Sequence, residues 1–190
     1  GPSIPNAAAK ATAVADDVPM TSTDALAHNE RGVTLFAQGE LGLAAEHLWT
    51  AVLLRPDLAA GWANLGLLQR KLKDHQMAVA AFGKALTLNP AQAEVWYSAG
   101  GSLRTLKRQP ESMGALSSFL EHAAPDHPKR AKIERVLSKW RADGITPRAP
   151  QWPTPQPPET LTRRVKALLD TQSRAPETES APASDTPAPP

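Results

Sequence analysis

A glycine recurs every 34 residues, at Gly32, Gly66 and Gly100, and this recurrence limits the possible folds more than anything else in the chain. Other positions keep the same step. His28, Trp62 and Trp96 align, as do Leu48, Phe82 and Leu116. Pro56 and Pro90 close two of the units, and Pro125 stands one place beyond the third closing position. A period of that length marks one supersecondary unit that cannot bury both its faces alone, so copies must stack. Within the central unit the apolar residues follow helical spacing twice, first Trp62, Leu65 and Leu72, then Ala78, Phe82 and Ala85. The expected element is therefore a helical pair whose glycine lets the second helix approach closely.

The central unit places Trp62, Leu65, Gly66, Ala78, Phe82, Ala85 and Pro90 at the offsets of the pattern W-x₂-L-G, A-x₃-F, then P. The stretch "WANLGLLQRKLKDHQMAVAAFGKALTLNP" resembles the tetratricopeptide-repeat family, departing from it at Gln69, where tyrosine is usual. Three repeats are expected, at about 25–58, 59–92 and 93–126, followed by a capping helix over 127–143. The resemblance implies an all-α fold, an α-solenoid in which helix pairs wind as a right-handed superhelix.

Local signals set the expected element ends. Asp24, Asp57 and Asp74 read as helix N-caps. Gly39 suits a turn that needs a positive φ, and Pro110 fits the first turn of a helix. Helices are expected over 25–37 and 41–54, the second stopped by Arg55-Pro56. Over 128–142, Ile133, Val136, Leu137 and Trp140 form one apolar stripe opposite Lys129, Lys132, Arg135, Lys139 and Arg141. That suits a cap, apolar inside and wet outside.

The flanks differ in composition. Residues 1–22 hold few large apolar groups and read as a disordered arm, with Gly1-Pro2 as the expected scar of tag removal. Of the nineteen prolines, eleven follow Asp143. Residues 144–158 accordingly read as an extended, proline-rich linker. A short amphipathic helix is expected over 159–170, carried by Leu161, Val165, Leu168 and Leu169, and a disordered tail over 171–190. This helix is a candidate second partner-binding segment: it can fold onto the chain's own groove, dock a partner, or touch an anionic membrane. Trp152 in the linker is either a docked anchor or an exposed ring.

Charge is unevenly spread. Residues 1–126 carry 10 Lys/Arg and 12 Asp/Glu, whereas 127–190 carry 11 and 7. No nucleic-acid partner is expected, because the basic residues are not densely clustered. No apolar run approaches the ~18 residues of a membrane span, so a soluble chain, cytoplasmic or periplasmic, is expected. The chain has no cysteine, which excludes disulfide and thiol chemistry.

No catalytic constellation is present in the sequence. His28, His47, His75, His122 and His127 lack metal-ligand spacing and read as surface or capping histidines. Neither a phosphate-binding glycine loop nor a nucleophile elbow occurs. No metal, no cofactor and no enzymatic activity are expected.

What remains is a surface. The resemblance implies that the first helices of the repeats line a concave groove. Its candidate ligand positions are Asn29, Val33 and Phe36 in repeat 1, Ala63, Asn64, Leu67, Arg70 and Lys71 in repeat 2, and Tyr97, Ser98, Gly101 and Arg104 in repeat 3. Arg70 and Arg104, one period apart, form either a ladder for an acidic ligand or a pair of solvated side chains. Val33, Phe36, Leu67 and Tyr97 are apolar anchors, or helix packing. Only Asn64 matches the carboxylate clamp of chaperone-binding relatives, so chaperone tails are not the expected ligand. The function implied is an interaction adaptor or scaffold holding a partner's peptide or helix. Two alternatives are a non-catalytic docking module of a larger enzyme, and an assembly factor or chaperone of a bacterial envelope machine for pili, secretion or cytochrome maturation.

Overall fold

The computed structural model describes residues 18–174. Of the arm expected over 1–22, residues 1–17 lie outside the described residues, and so does the expected tail from 175 onward. Eight helices are described: α1 (Ala25–Ala37), α2 (Leu41–Leu54), α3 (Ala59–Lys71), α4 (His75–Leu88), α5 (Ala93–Thr105), α6 (Gln109–His122), α7 (Arg130–Ala142) and α8 (Glu159–Ser173). No strand occurs among the described residues. Helices α1 and α2, α3 and α4, and α5 and α6 pack as pairs, and each pair stacks on the next through α2–α3 and α4–α5. Helix α7 closes the stack on α6. No helix among the described residues is long and apolar enough to cross a membrane.

The 34-residue step has three structural causes, each repeated along the stack. The first is close approach. A Cβ built on Gly32, Gly66 or Gly100 would lie less than 3.0 Å from Leu48, Phe82 or Leu116 respectively. In each pair the side chain sixteen residues ahead fills the space that the missing methyl leaves open. The second is the turn: Gly39, Lys73 and Lys107, again one period apart, all take a positive φ, of 83°, 66° and 60°. Lysine tolerates this at a cost of about 1 kcal/mol, so glycine is not required in repeats 2 and 3. The third is a ring tether. The Trp62 indole N–H donates to the Pro56 carbonyl at 2.8 Å, and Trp96 donates to Pro90 at 2.7 Å. His28 occupies the same position in repeat 1, with Nε2 2.8 Å from the Ser22 carbonyl.

That last bond overturns the surface reading of two histidines. His28 and His47 are both buried, because His28 fills a tryptophan's place in the core. A carbonyl only accepts, so His28 Nε2 carries the proton and Nδ1 is bare; His47 Nδ1–H, 2.9 Å away, is then the donor to it. Burial pushes His47 down to about 4, helped by the neighbouring His28 and the charge of Arg31. His28 is also lowered, mainly by burial.

The N-caps divide. Asp24 and Asp74 accept from the amides of Ala27 and Met77 at 3.1 and 3.0 Å. Asp57 does not cap: α3 starts one residue later, with buried Leu58 at the N-cap and the Asp57 carboxylate paired to Arg55 at 3.4 Å.

The segment after α7 is the largest departure from expectation. Residues 145–158 have no regular secondary structure, as proline demands, but they are not a free linker. They run back across the outer helices as a strap, touching α6 at Arg148 and α4 at Trp152. Helix α8 then lies on α2, with Leu161 and Val165 buried. Leu161 joins the core cluster that contains Trp49, Trp62 and Leu68. Helix α8 also extends to Ser173, into the stretch expected as tail, and Gln172 Nε2 donates to Thr23 Oγ1 at 2.7 Å. Glu111, almost wholly buried on α6, anchors the strap. Hydrogen bonding from Arg108, outweighing burial and aided by the Gln151 amide and Arg148, holds its carboxyl at about 2.

Two predictions follow from this packing. Gly66→Ala lowers stability by about 1–2 kcal/mol, since the buried Phe82 ring cannot yield. Gly42→Ala, where nothing lies within 4 Å of the new methyl, instead raises stability by roughly 0.5–1 kcal/mol through helix propensity; thermal melts distinguish the two. Second, the native state resists protonating His47, so the unfolded chain binds more protons below its ordinary pKa of 6.5. Stability is therefore full above that pH and falls as pH drops toward 4, by on the order of 3 kcal/mol for His47. A further fall, from Glu111, occupies pH 4.5 down to about 2. His47→Leu flattens the first phase of a melting-temperature profile against pH and leaves the second.

Candidate functional site

Helices α1, α3 and α5 form the inner wall of the stack, and α7 extends it at one end. The inner wall carries large apolar side chains that the fold does not cover. Leu26 is 50% exposed, Val33 40% and Leu67 39%. Leu67 and Phe36 floor a hollow whose rim is Arg70, Lys71 and Lys73. A second hollow lies where α3, α5 and α7 meet, with Arg70, Arg104 and Lys132 around an apolar floor of Tyr97, Ile133 and Val136. Arg70 thus belongs to both, reaching across to Gly101, whose added Cβ would sit 3.4 Å from the guanidinium.

The two arginines are held differently. Arg104 stacks over the Trp140 ring of α7 at 5.7 Å, a contact that fixes a guanidinium without neutralising it. Neither arginine takes part in an ion pair among the described residues. Glu94, the acidic group at the other edge of α5, is already occupied. Lys129 Nζ and His127 Nε2 each lie 2.6 Å from its carboxylate. The hydrogen bond from Lys129, with that from His127 behind it, lowers the Glu94 pKa against the opposing effect of burial. The same Lys129 stands over the Tyr97 ring at 4.2 Å, so Tyr97 is partly covered by the cap.

The structure sorts the sequence-derived positions. Val33, Leu67, Arg70, Lys71, Gly101, Arg104 and Tyr97 reach the inner surface or its hollows. Phe36 both lines a hollow and packs on the core cluster of repeats 1 and 2. Ala63 and Ser98 are buried and serve as wall. Asn64 Nδ2 donates to Asn29 Oδ1 at 3.0 Å, joining α3 to α1, which ties up part of the hydrogen-bonding capacity of both. In α8, Leu161 and Val165 are buried against the chain's own outer helices, and Leu169 remains 42% exposed. That segment therefore folds onto its own domain, on the face opposite the groove. Lys73, Lys132, Ile133 and Val136 also line the hollows, and sequence reasoning missed them. The periodicity of α7 identified its apolar stripe, but which part of that stripe faces α5 is set by how α7 docks. Among the described residues no cluster of three or more His, Asp or Glu is placed to hold a metal.

A family profile described as tetratricopeptide repeat matches residues 59–92. Peroxisome biogenesis protein 5 of Arabidopsis thaliana is 32% identical over 117 residues, which is 60% of this chain and 16% of that protein. The chain therefore spans a small part of the curated relative it matches. Two solved structures share the fold. The first tetratricopeptide domain of Spaghetti (RPAP3), bound to the HSP90 peptide SRMEEVD, aligns with a TM-score of 0.58 at 21% identity, over 64% of this chain and 95% of that one. MamA aligns at 0.57 and 16% identity, over 87% of each chain.

Proposed function

We propose that this chain, whose residues 59–92 match the tetratricopeptide-repeat family and whose fold is that of such repeats, works as an interaction adaptor whose inner groove holds an acidic, partly apolar peptide or helix of a partner. One observation carries the reading: exposed Leu67 shares a hollow with Phe36, Arg70, Lys71 and Lys73, the next hollow sets Arg70, Arg104 and Lys132 around Tyr97, Ile133 and Val136, and Leu26 and Val33 on α1 are also exposed. An apolar strip on a folded surface marks a place where another molecule is bound. Guanidinium groups without acidic partners favour carboxylates on that molecule, steering its approach and fixing its register. The partner lays apolar side chains along α1 and α3 and sets its acidic residues toward the junction of α3, α5 and α7. The peptide-bound Spaghetti domain supports this use of the fold, although its chaperone peptide is not transferred to this chain: of the clamp residues only Asn64 corresponds, and it is bonded to Asn29.

A second reading is favoured by the 16% of the Arabidopsis protein that the match covers. There the matching segment is one part of a longer chain. On that reading the groove has the same chemistry and serves as the docking module of a larger protein.

The test is a displayed peptide library screened against the wild-type chain, followed by titration of the recovered peptides. Acidic peptides with apolar residues at helical or alternate spacing are expected to dominate. Arg70→Glu combined with Arg104→Glu is expected to weaken them by at least about tenfold while leaving the helical circular dichroism intact. Equal affinity for the double variant, or recovery of basic peptides, overturns the assignment.

A further inference from the structure

The outer face of the stack already holds a peptide: the chain's own residues 145–161. Its manner of binding is specific. The backbone of Gln151, which follows Ala149-Pro150, is gripped on both sides, since its N–H donates to Glu111 Oε2 at 2.8 Å and its carbonyl accepts from Arg108 Nη2 at 2.6 Å. Arg148 adds a backbone bond to the Pro110 carbonyl at 2.9 Å and a guanidinium contact to Glu111 Oε1 at 3.2 Å.

The receiving helices are shaped for this occupant. At Gly114 an added Cβ would meet the Arg148 carbonyl, and at Gly83 it would lie 2.5 Å from Trp152 Cγ. Neither glycine belongs to the series that spaces the helix pairs. The Trp152 ring packs 5.9 Å from that of Trp96 and against Val79, Leu103 and Ala115, at the junction of repeats 2 and 3. Pro155 is buried beside Ala80 and Gly83.

Proline suits the backbone to this role. A proline-rich strand has few N–H groups to leave unpaired on an apolar helix face, and it is pre-ordered before binding. We propose that the outer face of α2, α4 and α6 is a second peptide-binding site, selective for a proline-rich segment bearing tryptophan, and that 145–161 is its tethered occupant. The site reads Trp152 through the Gly83 slot and the backbone N–H and carbonyl of the residue before it through Glu111 and Arg108. A partner segment of the same chemistry enters by displacing the strap. Tethering holds the site closed at low partner concentration, because the strap competes at a high effective concentration.

The experiment is a fluorescence-anisotropy titration of a labelled peptide PRAPQWPTPQPP, residues 147–158, with the 190-residue chain. The Trp152→Ala chain, with its slot vacated, is expected to bind the peptide saturably and at least about tenfold more tightly than wild type. Adding Gly83→Ala to that chain, or replacing the peptide's tryptophan by alanine, removes the binding. The proposal fails if a helical Trp152→Ala chain shows no saturable binding, or if Gly83→Ala leaves the affinity unchanged. Should Trp152→Ala lose its helical circular dichroism, the titration is made on Arg148→Ala with Pro155→Ala, which loosens the strap while keeping the repeats, and the same two results decide it.

Discussion

The structure depends on how closely two helices can pack when one of them lacks a methyl group. At Gly32, Gly66 and Gly100 the partner helix sends Leu48, Phe82 or Leu116 into the space where a Cβ would stand. These contacts fix the separation within each pair. The pairs then stack because a single pair buries only one face. The left-handed turns at Gly39, Lys73 and Lys107 and the ring-to-carbonyl tethers at His28, Trp62 and Trp96 repeat in step with the glycines. Each repeat thus has the same close contact, the same turn and the same tether, and the groove inherits its regularity from them.

A regular stack offers two faces, and this chain treats them differently. The inner face keeps apolar and cationic side chains open toward solvent. The outer face is covered by the chain itself, through the strap and α8. The same cap serves both: α7 gives Trp140, Lys132, Ile133 and Val136 to the inner hollow and then releases the chain at Gly144 onto the outer helices. Trp96 and its neighbour Tyr97 point the same division, with Trp96 packed against the strap and Tyr97 lining the groove.

Charge placement gives the inner face its character. Glu94 is already met by Lys129 and His127, so no nearby carboxylate on α5 is left to answer Arg104. Arg104 is positioned by a ring instead of by an anion. On the outer face the arrangement is reversed: Glu111 is the buried anion, and Arg108, Arg148 and a backbone amide all converge on it. On one face Arg70 and Arg104 form no ion pair among the described residues, and the other has satisfied its own anion.

Much of the fold was legible because a solenoid is built from local contacts. The step of 34 residues, the apolar spacing, and the caps at Asp24 and Asp74 all act within one repeat or between neighbours, so the order of residues carries them. The groove positions at Val33, Leu67, Arg70 and Arg104 could be placed for the same reason. Asp57 and the histidines show the limit, since burial of Leu58 and of His28 depends on what packs around them. Proline correctly excluded a helix over 145–158, but extension alone does not say whether a segment is free or docked. Only the tertiary structure decided that Trp152 meets Gly83, that Leu161 joins the core beside Trp49, and that α7 turns Lys132 toward Arg104. These contacts join residues far apart in the chain with no shared period, and shape complementarity between distant surfaces leaves no spacing to read.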